Sequence, residues 1–203
     1  MIGVLAVLAT FAAPPVYVER NPESLSQLIT LTSSRATPEH AKLLAGAVSD
    51  AGKRFNIDPA WILGLGYAES RWHEKPRSGD KGRSHGIYQM TLGVARSVEF
   101  GGVFEDKPSR DRVYRSSAKQ RALLGDVWVS SLSVAAYLAK LRAKYGAWAD
   151  VVYNCGPVRC GKWGGRRMKS TRATRAYWRY YRRLVNRIEK IENQECFDTT
   201  GAL

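Results

Sequence analysis

Between Asp58 and Trp72 the sequence encodes a helix with a carboxylate on its apolar side, a placement few folds tolerate. Asp followed by Pro is a helix start: the Asp side chain accepts a hydrogen bond from an unpaired backbone N–H, and proline fits the first helical position. The helix is expected to run to about Trp72. Within it Ile62, Leu65, Glu69 and Trp72 recur at three- and four-residue spacing, so Glu69 shares the stripe that faces the core. A carboxylate placed there finds partners or gives up its charge, and lost solvation moves its pKa toward the range where a carboxylic acid donates a proton near neutrality. Glu69 is therefore a candidate general acid. The plainer reading is a rotated helix with Glu69 in water, the usual situation of a glutamate.

The helix gives way to a polar, glycine-rich loop, Ser78-Gly79-Asp80-Lys81-Gly82-Arg83-Ser84-His85-Gly86, which cannot form a core element. It leads into Gly86-Ile87-Tyr88-Gln89-Met90. A glutamate at a helix end, a polar loop and a tight turn carrying Gln and aromatic groups suit a cleft for a polar, ring-shaped substrate. Further on, Tyr153-Asn154-Cys155-Gly156-Pro157 puts a phenol and an amide where Gly-Pro ends a helix. One offers a stacking face and a hydroxyl, the other a donor and an acceptor, both apt for a sugar. Read alone, the same pair is a buried tyrosine and a helix-terminal asparagine.

Together these stretches resemble the soluble lytic transglycosylases and their goose-type lysozyme relatives. The first block is Glu69-Ser70-Arg71-Trp72 with Ser78 and Gly86-Ile87-Tyr88-Gln89-Met90. The second is Val151-Val152-Tyr153-Asn154-Cys155-Gly156-Pro157, and the third Thr174-Arg175-Ala176-Tyr177. The likeness covers roughly 37–184 and implies a lysozyme-like helical domain. It departs from the family in its slightly longer loop and in Ile87 and Tyr88, where small apolar residues usually precede Gln. In the longer loop Asp80 precedes Gln89 by nine positions, as an aspartate does in goose-type lysozymes. The further aspartate that those enzymes carry just after Gln is replaced here by Met90 and Thr91.

The resemblance implies a peptidoglycan-cleaving enzyme that needs one carboxylate where ordinary glycoside hydrolysis uses two. Glu69 would protonate the β-1,4 oxygen between N-acetylmuramyl and N-acetylglucosaminyl units. It would then take the proton of the muramyl C6 hydroxyl as that oxygen closes on C1, giving a 1,6-anhydro end. Gln89, Tyr153 and Tyr177 would hold the glycan, with Ser78, Tyr88 and Asn154 shaping the site. One alternative is a goose-type-like lysozyme hydrolysing the same bond, with Asp80 as second carboxylate positioning water. The other is a non-enzymatic polyanion or nucleic-acid binder built on the arginines and aromatics interleaved from Arg172 to Arg187. Against it stands the simpler account of that helix, aromatics facing the domain and arginines facing solvent.

The rest of the chain reads as a mainly α domain at 37–194, with a small hairpin admissible in the glycine-rich loop. Thr37-Pro38-Glu39 opens a helix whose apolar stripe is Leu43, Leu44, Ala47, Val48 and Ala51. A short helix spans Val94 to Val98, a charged loop runs from Gly101 to Arg115, and helices resume from Ser117 to Gly146 and from Thr171 to Asn193. Residues 19–36, rich in Ser and Thr, read as a linker, and 195–203 as a tail. Residues 1–18 carry no charge. They read as the apolar region of a signal peptide lacking its basic start, or as an apolar segment docked on the domain, and are too short to span a bilayer comfortably.

The net charge of +14 favours polyanions through long-range attraction without choosing among them. His40, His73 and His85 are scattered and Cys155, Cys160 and Cys196 lack ligand spacing, so no metal and no cofactor is expected. Cys155 and Cys160 flank a Gly-Pro loop and are able to pair in an oxidising compartment. The expected partners are peptidoglycan strands, with components of an envelope-spanning secretion or phage machine as context and no nucleic acid. The expected location is periplasmic or secreted.

Overall fold

The computed structural model describes residues 16–73, 76, 82–104, 107–146, 149, 152–153 and 172–200, with side chains for all but 107, 172–178 and 195–200. In order come α1 (Pro22–Thr32), α2 (Pro38–Phe55), α3 (Pro59–Ser70), β1 (Ser84–His85), β2 (Met90–Thr91), α4 (Leu92–Ser97), α5 (Glu99–Gly102), α6 (Lys107–Tyr114), α7 (Ser117–Gly125), α8 (Val127–Tyr145) and α9 (Arg172–Thr200). The class is mainly α, as expected. The hairpin is antiparallel, Ser84 opposite Thr91 and His85 opposite Met90.

Helix starts follow from capping. Asn21, Thr37, Asp58, Ser116 and Asp126 each accept a hydrogen bond from a backbone N–H of the first turn, and the first three precede a proline. α2 stops at Asn56 in the left-handed region (φ 55°). It then packs on α1 and α8, while α3 packs on α9.

Four expectations are corrected. The linker expected at 19–36 contains α1, whose Leu25, Leu28 and Ile29 are buried with Ser24 and Ser26. Its small hydroxyl residues suggested a loop, but apolar residues at three- and four-residue spacing commit it to the core. The loop expected from Gly101 to Arg115 contains the end of α5 and all of α6, with Phe100 buried against the rings of Phe104 and Tyr114. Leu43, assigned to the buried stripe of α2, is 52% exposed, because the buried face of the helix runs through Ala41, Leu44, Ala45, Val48 and Ala51. α3 ends at Ser70, two residues early.

α3 is not amphipathic. Every residue from Pro59 to Gly66 is buried, so the helix is enclosed rather than resting on one stripe. Its start is fixed by Asp58, which is fully buried. One carboxylate oxygen accepts from Ala60 N–H at 2.9 Å; the other accepts from Arg20 Nη2 at 3.1 Å and from the Tyr181 hydroxyl at 3.2 Å. Arg20 is itself almost buried. One carboxylate thus ties the segment before α1, the cap of α3 and α9. The T-shaped contact of Trp61 with Tyr181, centroids 5.1 Å apart, closes the same seam.

No single helix among the described residues is long and apolar enough to cross a membrane. α7 and α8 pass that test as a pair bent by 93°, but α8 gives Val134, Ala135, Leu138 and Leu141 to the core.

Removing one partner of a buried ion pair costs about 3–5 kcal/mol. Asp58→Ala is therefore expected to lower Tm by roughly 10 °C in a thermal melt; an unchanged Tm would count against this network as the anchor of α3. Burial raises the pKa of the phenols of Tyr88 and Tyr181, with the Asp58 charge adding to the shift at Tyr181. The fold favours the neutral phenol at both sites. Their contribution is full below about pH 10 and is lost as pH rises through the folded-state values. Urea titrations across pH 9–12 are expected to show stability falling on the alkaline side, less steeply in Tyr88→Phe.

Candidate active site

Glu69 lies in the last turn of α3, half-buried, where the enclosed helix emerges. It lines a cleft of about 620 Å³ with Arg35, Ala68, Ser70, Arg71, His73 and Pro76. Within one turn Ser70 Oγ donates back to Gly66 O at 3.1 Å. The chain then reverses through two left-handed residues, Arg71 (φ 55°) and Trp72 (φ 57°). Such conformations cost a non-glycine residue about 1–2 kcal/mol each. They are offset by the Trp72 indole, which is fully buried under the helix, donates from Nε1 to Leu63 O at 2.9 Å and meets the Tyr67 ring edge-on at 4.9 Å. Trp72 thus shares the core with α3 without being part of it.

The hairpin turn approaches the same helix. A Cβ at Gly66 would lie 3.0 Å from Tyr88 Cε1, 3.1 Å from Ile87 Cγ2 and 3.2 Å from Trp72 Cδ1. The turn and Trp72 therefore converge on the bare backbone one turn before Glu69, and any side chain at Gly66 would push them away. Gln89 is in the left-handed region (φ 48°), with its N–H 3.1 Å and its Nε2 3.0 Å from Gly86 O. One amide hydrogen thereby secures the turn, leaving the other hydrogen and Oε1 for a ligand.

Tyr153 joins the second motif to the first. Its hydroxyl donates to Tyr88 O at 3.0 Å, and its ring lies 5.8 Å from that of Tyr137. Tyr88 itself does not face the cleft. It is 1% exposed, with its hydroxyl 3.1 Å from Ser131 Oγ, so it shapes the site through its backbone and its packing, not by touching a ligand with its side chain. α9 brings the third motif's helix against α3, where Tyr180 meets the Tyr67 ring edge-on at 5.0 Å. Ser78, Asp80, Asn154, Cys155, Cys160 and the side chains of Tyr177 and Cys196 lie outside the described residues.

Three cleft residues are not marked by the sequence pattern. Arg71 stands in the motif of Glu69 but is given no role there, His73 follows that motif, and Arg35 lies in the stretch expected to be a linker. No group of three or more His, Cys, Asp or Glu among the described residues is placed to hold a metal ion.

The sequence model of the transglycosylase SLT domain matches residues 46–175, more than half of the 203-residue chain. The chain belongs to this family. The match takes in α3, the hairpin and Tyr153, whereas α1 and nearly all of α9 lie outside it. No curated protein and no solved structure matches the chain. The SLT domain is a lysozyme-like, peptidoglycan-cleaving domain of lytic-transglycosylase type, typically extracytoplasmic.

In this domain the turn that carries Gln89 depends on Gly86, at φ 69°, where a Cβ would run into the Leu124 carbonyl oxygen. Backbone cannot retreat as a side-chain tip does, so overpacking adds about 1–3 kcal/mol to the cost of the left-handed conformation. Gly86→Ala is expected to lower Tm by several degrees and to reduce turnover on peptidoglycan further than the loss of folded protein explains. Wild-type specific activity in the folded fraction would show that the turn does not position Gln89.

Proposed function

We propose that the chain is a lytic transglycosylase that cleaves the β-1,4 bond between N-acetylmuramyl and N-acetylglucosaminyl residues and leaves 1,6-anhydro-N-acetylmuramyl ends. The observation that carries this reading is the hydrogen bond from Tyr153 to Tyr88 O, which joins two distant motifs beside the helix whose last turn carries Glu69. Glu69 serves first as general acid to the glycosidic oxygen, then as the base that takes the C6 hydroxyl proton while O6 closes on C1. Its protonated and ionised forms are both needed within one turnover.

In this mechanism the substrate supplies its own nucleophile and Glu69 suffices, whereas hydrolysis ordinarily employs a second carboxyl group. Gln89, Tyr153 and Tyr177 would grip the acetamido-bearing sugars, with Ser78 and Asn154 helping to shape the site. A periplasmic or secreted location, with 1–18 as an export segment, and service to an envelope-spanning or phage machine fit this activity.

Mass spectrometry of products released from purified sacculi tests the reading. Wild-type protein should release anhydro-ended muropeptides, and Glu69→Gln should lower that rate by about 10²–10⁴-fold while still binding the glycan. Products one water heavier, lost in Asp80→Asn, would replace the transglycosylase with a hydrolase. Full activity in Glu69→Gln would overturn both.

A further inference from the structure

We propose that Arg35 and Arg71 form a carboxylate clamp beside Glu69 that takes the anionic arm of the muramyl unit. The proposal rests on the glycan-cleaving reading and adds to it a group that no sugar ring possesses. A muramyl residue differs from its N-acetylglucosaminyl neighbour by a lactyl ether ending in a carboxyl group, either free or joined to a stem peptide that carries carboxylates of its own. Their shared chemistry is a planar anion on the arm that leaves the muramyl ring beside the bond to be cut, and a guanidinium fork matches it.

Two observations carry the assignment. Arg35 and Arg71 line the same cleft as Glu69 and are both exposed, and among the described residues neither guanidinium is engaged by a carboxylate. Their backbones are also locked to each other. The nearly buried Ser33 Oγ donates to Arg71 O at 2.9 Å and accepts from Arg35 N–H at 3.3 Å. One hydroxyl thereby joins the loop after α1 to the left-handed residue that ends α3. The link holds the two backbones together, so both side chains set out from one part of the cleft wall. Arg35 lies outside the 46–175 family match, so this half of the clamp is supplied by the chain's own N-terminal helix and loop. Ser33 acts as a positioning residue.

Binding is measured in the Glu69→Gln background by titration with three glycans of equal length. They are stem-peptide-bearing strands, amidase-stripped strands with the lactyl carboxylate free, and neutral chitooligosaccharide. Arg35→Ala with Arg71→Ala is expected to weaken binding of the anionic glycans about tenfold, the scale of hydrogen bonds to charged groups, and to flatten their salt dependence. Chitooligosaccharide affinity and Tm should stay unchanged, since both side chains are exposed. Ser33→Ala should give a smaller loss with the same selectivity. Loss confined to stripped strands assigns the lactyl carboxylate; loss confined to peptide-bearing strands assigns the stem peptide. Equal weakening of all three, or of none, overturns the clamp. Selective loss in a protein whose wild type cuts no sacculus would keep the clamp and remove the transglycosylase. Cleavage by a wild type whose arginine variants bind like the parent would do the reverse, and neither cleavage nor binding would remove both.

Discussion

The fully buried Asp58 carboxylate is the constraint on which the structure hangs. An ion of that kind is tolerable only when its lone pairs are taken, and here a helix N–H, a guanidinium and a phenol take them. Because those partners come from three separate segments, one electrostatic requirement fixes the first turn of α3 against both ends of the chain. The family match covers neither of those ends. The matched part of the domain and the segments on either side of it therefore meet at one atom group.

With its start pinned, α3 runs enclosed from Pro59 to Gly66 and emerges at Glu69. Enclosure rigidifies the helix and delivers a carboxyl group to a cleft wall at a set depth. The sharp exit through Arg71 and Trp72 is a local strain that the buried indole offsets. Without a side chain at Gly66 the turn bearing Gln89 comes down onto the helix backbone, and Tyr153 then holds the turn by a main-chain carbonyl. Each step uses backbone contacts, which move less than side-chain ones. That suits a site where a proton must travel to one oxygen and return from another.

The two motif-bearing tyrosines divide the work by burial. Tyr88 gives its side chain to the core and its carbonyl to Tyr153, while Tyr153 stays half-buried with its ring near Tyr137. Residues of the same type in two motifs of one site therefore need not face the same surroundings. The basic side of the cleft shows the same point: Arg35 and Arg71 come from two segments that Ser33 joins.

By itself the sequence determined two helix starts, since Thr37-Pro38 and Asp58-Pro59 are local signals that need no tertiary partner. It also determined the mainly α class, the hairpin and the place of Glu69 near the end of an apolar helix. Only the tertiary structure decided that residues 22–32 are core helix rather than linker, that Leu43 faces out, and that Tyr88 points inward. Those outcomes turn on which face a neighbour covers, and a chain read residue by residue does not name its neighbours. Arg35 was illegible for the same reason: its meaning comes from Ser33 and Arg71, and from a cleft that exists once α1 has folded against the domain.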